Sequence, residues 1–160
     1  MLIATKSSRI DISEEKKTKS IAKIFSKNIK LGNSLFLKGE LGVGKTTFIK
    51  HLINFIQIAN SQPITEVTSP TFNLVNEYQI DALILKHYDL YRINNEKELI
   101  SIGLFEDNSK QITLIEWPEL IKNNKIKNII DLYFEYDENY NSRFLTISSN
   151  KKISFLNEFK

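Results

Sequence analysis

Eight consecutive residues, Gly39-Glu40-Leu41-Gly42-Val43-Gly44-Lys45-Thr46, set three glycines, a lysine and a hydroxyl at the spacing G-x-x-x-x-G-K-[ST]. Glycines at that spacing let successive backbone N–H groups turn inward, where they become donors for phosphate oxygens. Glycine adopts such a backbone cheaply because it carries no Cβ. Lys45 then supplies a point charge for the outer phosphates, Thr46 a hydroxyl for Mg²⁺, and Thr47 a further phosphate contact. The stretch 39–47, with Glu40, Leu41 and Val43 inside the loop, is therefore predicted to hold a nucleotide.

Phosphoryl chemistry also needs a second acidic partner for the metal and a group that orients the attacking atom. Glu116 ends the apolar run 112–115, and Asp89 ends the run 83–88. A carboxylate at a strand end is ordinarily a solvated charge, but ligands in open sheets bind at strand ends, and a phosphate loop requires acids nearby. The hydroxyls of Ser69 and Thr71 in the segment 69–72 either reach phosphate or metal, or belong to a turn built on Pro70. Two readings also stand for His87, a buried hydrogen-bonded core residue or a group beside the site, and two for Trp117, a core residue or a partner-facing anchor.

These residues need a frame. The spacing of apolar residues predicts a helix over 13–29 capped by Ser13, a buried strand over 34–38, and a helix over 46–58 packed on that strand's sheet. Strands follow at 73–80 and 83–90, joined at Asp81 and Ala82, then a short helix at 96–102 stopped by Gly103. A buried strand at 112–115 runs into Glu116, Trp117 and Pro118, and a second hairpin spans 129–136 and 143–148. The last dozen residues carry little signal. The expectation is a single-domain α/β P-loop NTPase fold over 1–160, three-layered, with a mixed, mostly parallel central sheet and antiparallel hairpins.

Composition narrows the classes. The chain has 160 residues, 41% hydrophobic and 26% charged, within the range of soluble globular domains. It has no cysteine, which removes disulfides and thiolate metal sites, and its two histidines cannot alone hold zinc. No stretch nears the ~20 apolar residues of a membrane span, so a cytoplasmic protein with no membrane partner is expected. The net charge of +3 comes mainly from scattered lysines and only three arginines, Arg9, Arg92 and Arg143, which predicts a solvated surface and no DNA partner. A small-molecule kinase would bring several arginines around its phosphates, and here Arg92 stands nearly alone. A GTPase would need Asn-Lys-x-Asp, and Asn124-Lys125 lacks the aspartate.

Taken together, GELGVGKTT at 39–47, SPTF at 69–72, HYDLYR at 87–92, ELISIGL at 98–104 and LIEWP at 114–118 resemble the bacterial TsaE (YjeE) family of tRNA threonylcarbamoyladenosine biosynthesis ATPases. The likeness covers about residues 5–147 and departs only at Val43 and Ile102, where Ala and Leu are usual. It implies slow Mg-ATP hydrolysis in concert with the TsaB and TsaD subunits, with tRNA reached indirectly through that complex. By the same likeness Thr46 and Glu116 would hold Mg²⁺, Asp89 would be the catalytic or metal-linked carboxylate, and Trp117 would matter to function. Glu15 or Thr18 would lie near the adenine. The alternatives to a hydrolase are a small-molecule kinase and an assembly module switched by nucleotide without essential turnover.

Overall fold

The computed structural model describes residues 5–122 and 125–159, so Asn124 of the guanine-motif comparison lies outside the described residues. In chain order these residues form β1 (Thr5–Lys6), β2 (Ile10–Asp11), α1 (Glu15–Asn28), β3 (Ser34–Lys38), α2 (Lys45–Ala59), β4 (Val75–Ile80), β5 (Leu83–Asp89), α3 (Glu96–Ser101), β6 (Ile112–Glu116), β7 (Ile129–Tyr136) and β8 (Arg143–Ser149). All the strands join one sheet in the order β1-β8-β7-β3-β6-β5-β4, with β2 also paired to β8. The four central strands β7, β3, β6 and β5 run parallel. Antiparallel pairs close both sides, β4 on β5 at one and β8 on β7, with β1 and β2 on β8, at the other. The architecture is mixed α/β, as the sequence predicts.

The strand period of two divides the core. Leu35 and Leu37 of β3 join one apolar cluster with Phe25 of α1 and Phe48, Ile49 and Leu52 of α2, whereas Phe36 between them joins a second cluster with Tyr88, Leu99 and Ile115. Helices α1 and α2 thus cover one face of the sheet, and α3 lies over the other. The same parity positions the chemistry. Leu85 and Leu114 belong to the α2 side, so His87 and Asp89, two and four residues after Leu85, and Glu116, two after Leu114, point to that face as well.

The predicted strand 34–38 and the two hairpins agree with the structure, and Asp81 makes the tight turn between β4 and β5 at φ 51°, a conformation Asp tolerates better than most residues. One expectation needs correction, and two further features have no counterpart in the local sequence pattern. Ser13 does not cap α1: the N-cap is Glu14, with no side-chain cap bond, and Ser13 Oγ accepts instead from the Arg143 N–H at 3.0 Å. The incoming chain is drawn into pairing with β8, and that long-range bond takes the hydroxyl the cap required. The two short strands β1 and β2 have no local signature, because two-residue strands have no periodicity of their own. The tail is also more than a remnant: Ser154–Phe159 forms a 3₁₀ segment that buries Leu156 and Phe159, with Phe155 and Phe159 ring centroids 5.2 and 6.1 Å from Phe25.

Candidate functional site

The loop between β3 and α2 takes its shape from three glycines at positive φ: Gly39 at 139°, Gly42 at 77° and Gly44 at 120°. Gly39 has a second reason, since a Cβ there would lie 2.3 Å from the Phe134 carbonyl oxygen of β7. Helix α2 begins at Gly44 with no side-chain cap and no acidic residue in its first turn. Its first N–H groups and the positive end of its dipole are therefore left for an anion.

A cavity of about 280 Å³ opens over this helix start, lined by Leu41, Gly42, Gly44, Lys45, Thr46, Thr47, Ser69, Thr71, Asp89, Tyr91, Arg92, Glu116 and Trp117. Most of the residues singled out from the sequence meet here, although they come from the phosphate loop, the segment after α2, and the ends of β5 and β6. Lys45, 4% exposed, donates to the carbonyls of Gly39 at 2.6 Å and Glu40 at 2.8 Å. Burial holds its ammonium below the ordinary lysine range, with Glu116 and Asp89 pulling the other way. Thr46 Oγ1 donates to Glu116 Oε1 at 2.8 Å, and Asp89 accepts from the Ser69 hydroxyl and from the Tyr91 N–H at 3.0 Å. Thr71 reaches Ser69 at 3.4 Å.

His87 resolves to both of its readings at once: fully buried, it also meets Glu116 Oε1 through Nε2 at 2.8 Å. Trp117 follows β6 in the left-handed conformation at φ 58°, where Pro118 opens a 3₁₀ turn. That bend brings its ring over Lys45, whose Nζ lies 4.0 Å from the ring centroid, and within 4.9 Å of the Tyr91 ring. Arg92 lies over the exposed Phe72 ring at 4.8 Å.

Glu15 and Thr18 do not line this cavity. Glu15 pairs with His51 of α2 at 2.7 Å, and Thr18 is buried in α1. Sequence reasoning missed Tyr91, which lines the cavity just after β5, and two residues of the β7–β8 hairpin. Tyr136 places its hydroxyl 3.5 Å from where a Cβ on Gly42 would stand, and Arg143 places Nη1 4.0 Å from the same point on Gly44 while Nη2 donates to Ser13 O at 3.0 Å. Nothing in their local sequence marks them, because they reach the loop only through the sheet.

Among the described residues no group of three or more His, Cys, Asp or Glu side chains is arranged to hold a metal ion. One hydroxyl and one or two carboxylates are nevertheless the protein donors typical of Mg²⁺, which is bound largely by phosphates and water rather than by a protein cage. Thr46, Glu116 and Asp89 therefore fit a magnesium ion that arrives with a nucleotide.

Comparison with known proteins adds a family. The family model described as Threonylcarbamoyl adenosine biosynthesis protein TsaE matches residues 12–145. The tRNA threonylcarbamoyladenosine biosynthesis protein TsaE of Rickettsia typhi is 36% identical over 148 residues, covering 92% of this chain and 97% of the relative. The Bacillus subtilis protein of the same description is 40% identical over 106 residues, covering 66% and 63%. The crystal structure of Bacillus subtilis YdiB superposes with a TM-score of 0.69 at 24% identity, covering 99% of this chain and 95% of that one, and so shares the fold.

Proposed function

This chain belongs to the TsaE family and acts in tRNA threonylcarbamoyladenosine biosynthesis, and from that premise we propose that it does so by binding and slowly hydrolysing Mg-ATP beside partner subunits. The observation that carries the proposal is the meeting, around one cavity, of an uncapped helix start with Lys45, Thr46, Asp89 and Glu116. Backbone amides of residues 39–47 receive the phosphates, and Lys45 turns from the Gly39 and Glu40 carbonyls to the outer phosphate oxygens. Because the Thr46 O–H is donated to Glu116, its lone pairs are free for the cation. When bound, Mg²⁺ neutralises charge developing on the transferred phosphoryl group. Asp89, steadied by Ser69 and the Tyr91 amide, is placed to accept a hydrogen bond from the attacking water. Trp117 and Tyr91 wall the cavity and limit bulk water beside Lys45.

The partners proposed are the TsaB and TsaD subunits, with tRNA reached through them. Leu41 and Tyr91 line the cavity yet stay 73% and 56% exposed, and Phe72 beside Arg92 is 84% exposed. Exposed apolar groups gathered at one mouth favour a protein partner there. A small-molecule kinase is not favoured, since among the cavity-lining residues Arg92 is the one arginine. The deciding experiment is ATP hydrolysis by the purified protein with Mg²⁺, alone and with TsaB and TsaD together. Stimulation by the pair is expected. Nucleotide binding without stimulation would overturn the partner-coupled reading and favour a kinase.

A further inference from the structure

Glu116 Oε1 accepts from two directions, from the Thr46 hydroxyl at 2.8 Å and from His87 at 2.8 Å. A carboxylate only accepts, so the hydrogen shared with His87 is assigned to Nε2. The other ring nitrogen, Nδ1, is buried with no hydrogen-bond partner among the described residues. A buried imidazole bonded at one nitrogen alone has its orientation set by that single bond, and a packing histidine would ordinarily be satisfied at both. His87 also lies next to Asp89 on the same face of β5, directly across the parallel ladder from Leu114, two residues before Glu116.

We propose that His87 is a positioning residue for the metal-binding step, fixing the Glu116 carboxylate so that Oε1 receives the Thr46 hydroxyl hydrogen. The inference rests on reading the cavity as an Mg-ATP site. With His87 anchoring Oε1, Glu116 cannot turn about its side chain without breaking a buried bond. The Thr46 O–H then keeps one direction, and its lone pairs face the cavity. Without His87 the carboxylate gains alternative rotamers, and the hydroxyl is free to donate elsewhere. Outer partners that orient metal-binding groups in this way matter to metal affinity by about 10–100-fold.

Two substitutions of similar polarity separate this role from packing. In His87→Gln the side-chain amide reaches toward the Nε2 position and can still donate to Glu116; in His87→Asn the amide is too short and lies near the Nδ1 position. For each, binding of a fluorescent ATP analogue is measured in EDTA and across a Mn²⁺ titration, with Mn²⁺ bound to the protein–nucleotide complex followed by electron paramagnetic resonance. The expectation is metal-free nucleotide affinity within about twofold of the native protein for both. The Mn²⁺ half-saturation point should rise about tenfold or more in the Asn variant and largely recover in the Gln variant. Equal Mn²⁺ dependence in all three proteins overturns the inference. So does loss of metal-free binding or of folding in both variants, which would make His87 a packing residue. Failure of the native protein to bind the analogue at all overturns instead the Mg-ATP reading on which the inference rests.

Discussion

Replacing Gly39 by alanine should damage the fold and the phosphate loop through one contact. The added Cβ would lie 2.3 Å from the Phe134 carbonyl oxygen and 3.1 Å from its carbonyl carbon and Cβ. Carbon–oxygen contacts settle near ~3.3 Å, so the overlap is about 1 Å. Both sides are backbone, so no rotamer change relieves it. Either β7 must move from β3, to which it is paired from Ser34 to Lys38, or the loop must shift. Forcing a side chain onto φ 139° costs about 1–3 kcal/mol and overpacking of this kind about 1–3 kcal/mol, so the expected loss is about 4 kcal/mol. Domains of this kind have about 5–15 kcal/mol in total, so the change should be plain in urea unfolding as a lower midpoint at constant slope. Nucleotide affinity should fall with it, because a displaced loop no longer aims its backbone amides at one phosphate position. A loss under about 1 kcal/mol with nucleotide binding intact would refute the argument that β7 constrains the loop.

Glu116→Ala should lower Mg²⁺-dependent hydrolysis on the order of a hundredfold while nucleotide binding in EDTA persists; an unchanged rate in a steady-state assay would remove Glu116 from the site. Leu156→Ala should cost about 2–5 kcal/mol in thermal or urea melts, because that side chain is 1% exposed in the core, and no loss would show the tail to be dispensable. Burial raises the Tyr88 phenol to about 12, from an ordinary value of 10.0. A phenol whose folded pKa is raised contributes stability that is fully present below about pH 10 and lost as pH climbs toward about 12. Tyr88→Phe should flatten that part of a stability profile; an identical alkaline decline in the variant would show that another group causes it.

Local pattern carried much of the fold because its elements announce themselves over short spans. Strand β3 is a compact apolar run bounded by glycines, α2 shows helical spacing from Phe48 to Ile56, and the hairpin β7–β8 brackets a polar turn. The phosphate loop and both acids were legible for the same reason, since a glycine-rich turn and a carboxylate ending a buried strand are local signals. What stayed hidden was nonlocal. Ser13 is a cap by residue type and position, although Lys16 stands where a capping box would have Glu, and its hydroxyl goes instead to Arg143, 130 positions away. The burial of Phe159 depends on Phe25, and no periodicity in a short tail could show it.

By itself the sequence determined which groups are available: glycine amides, the Lys45 charge, the Thr46 hydroxyl and the carboxylates of Asp89 and Glu116. Their chemistry belongs to residue type and short-range spacing. Only the tertiary structure decided how they meet. The parallel pairing of β5, β6 and β3 brings two strand ends beside the start of α2, and the two-residue period turns His87, Asp89 and Glu116 to the same face. Sheet register also joins His87 to Glu116 and lays Tyr136 and Arg143 against the loop. Register is a property of chains paired across long separations, set by burial of a whole face at once, and no single stretch of sequence contains it.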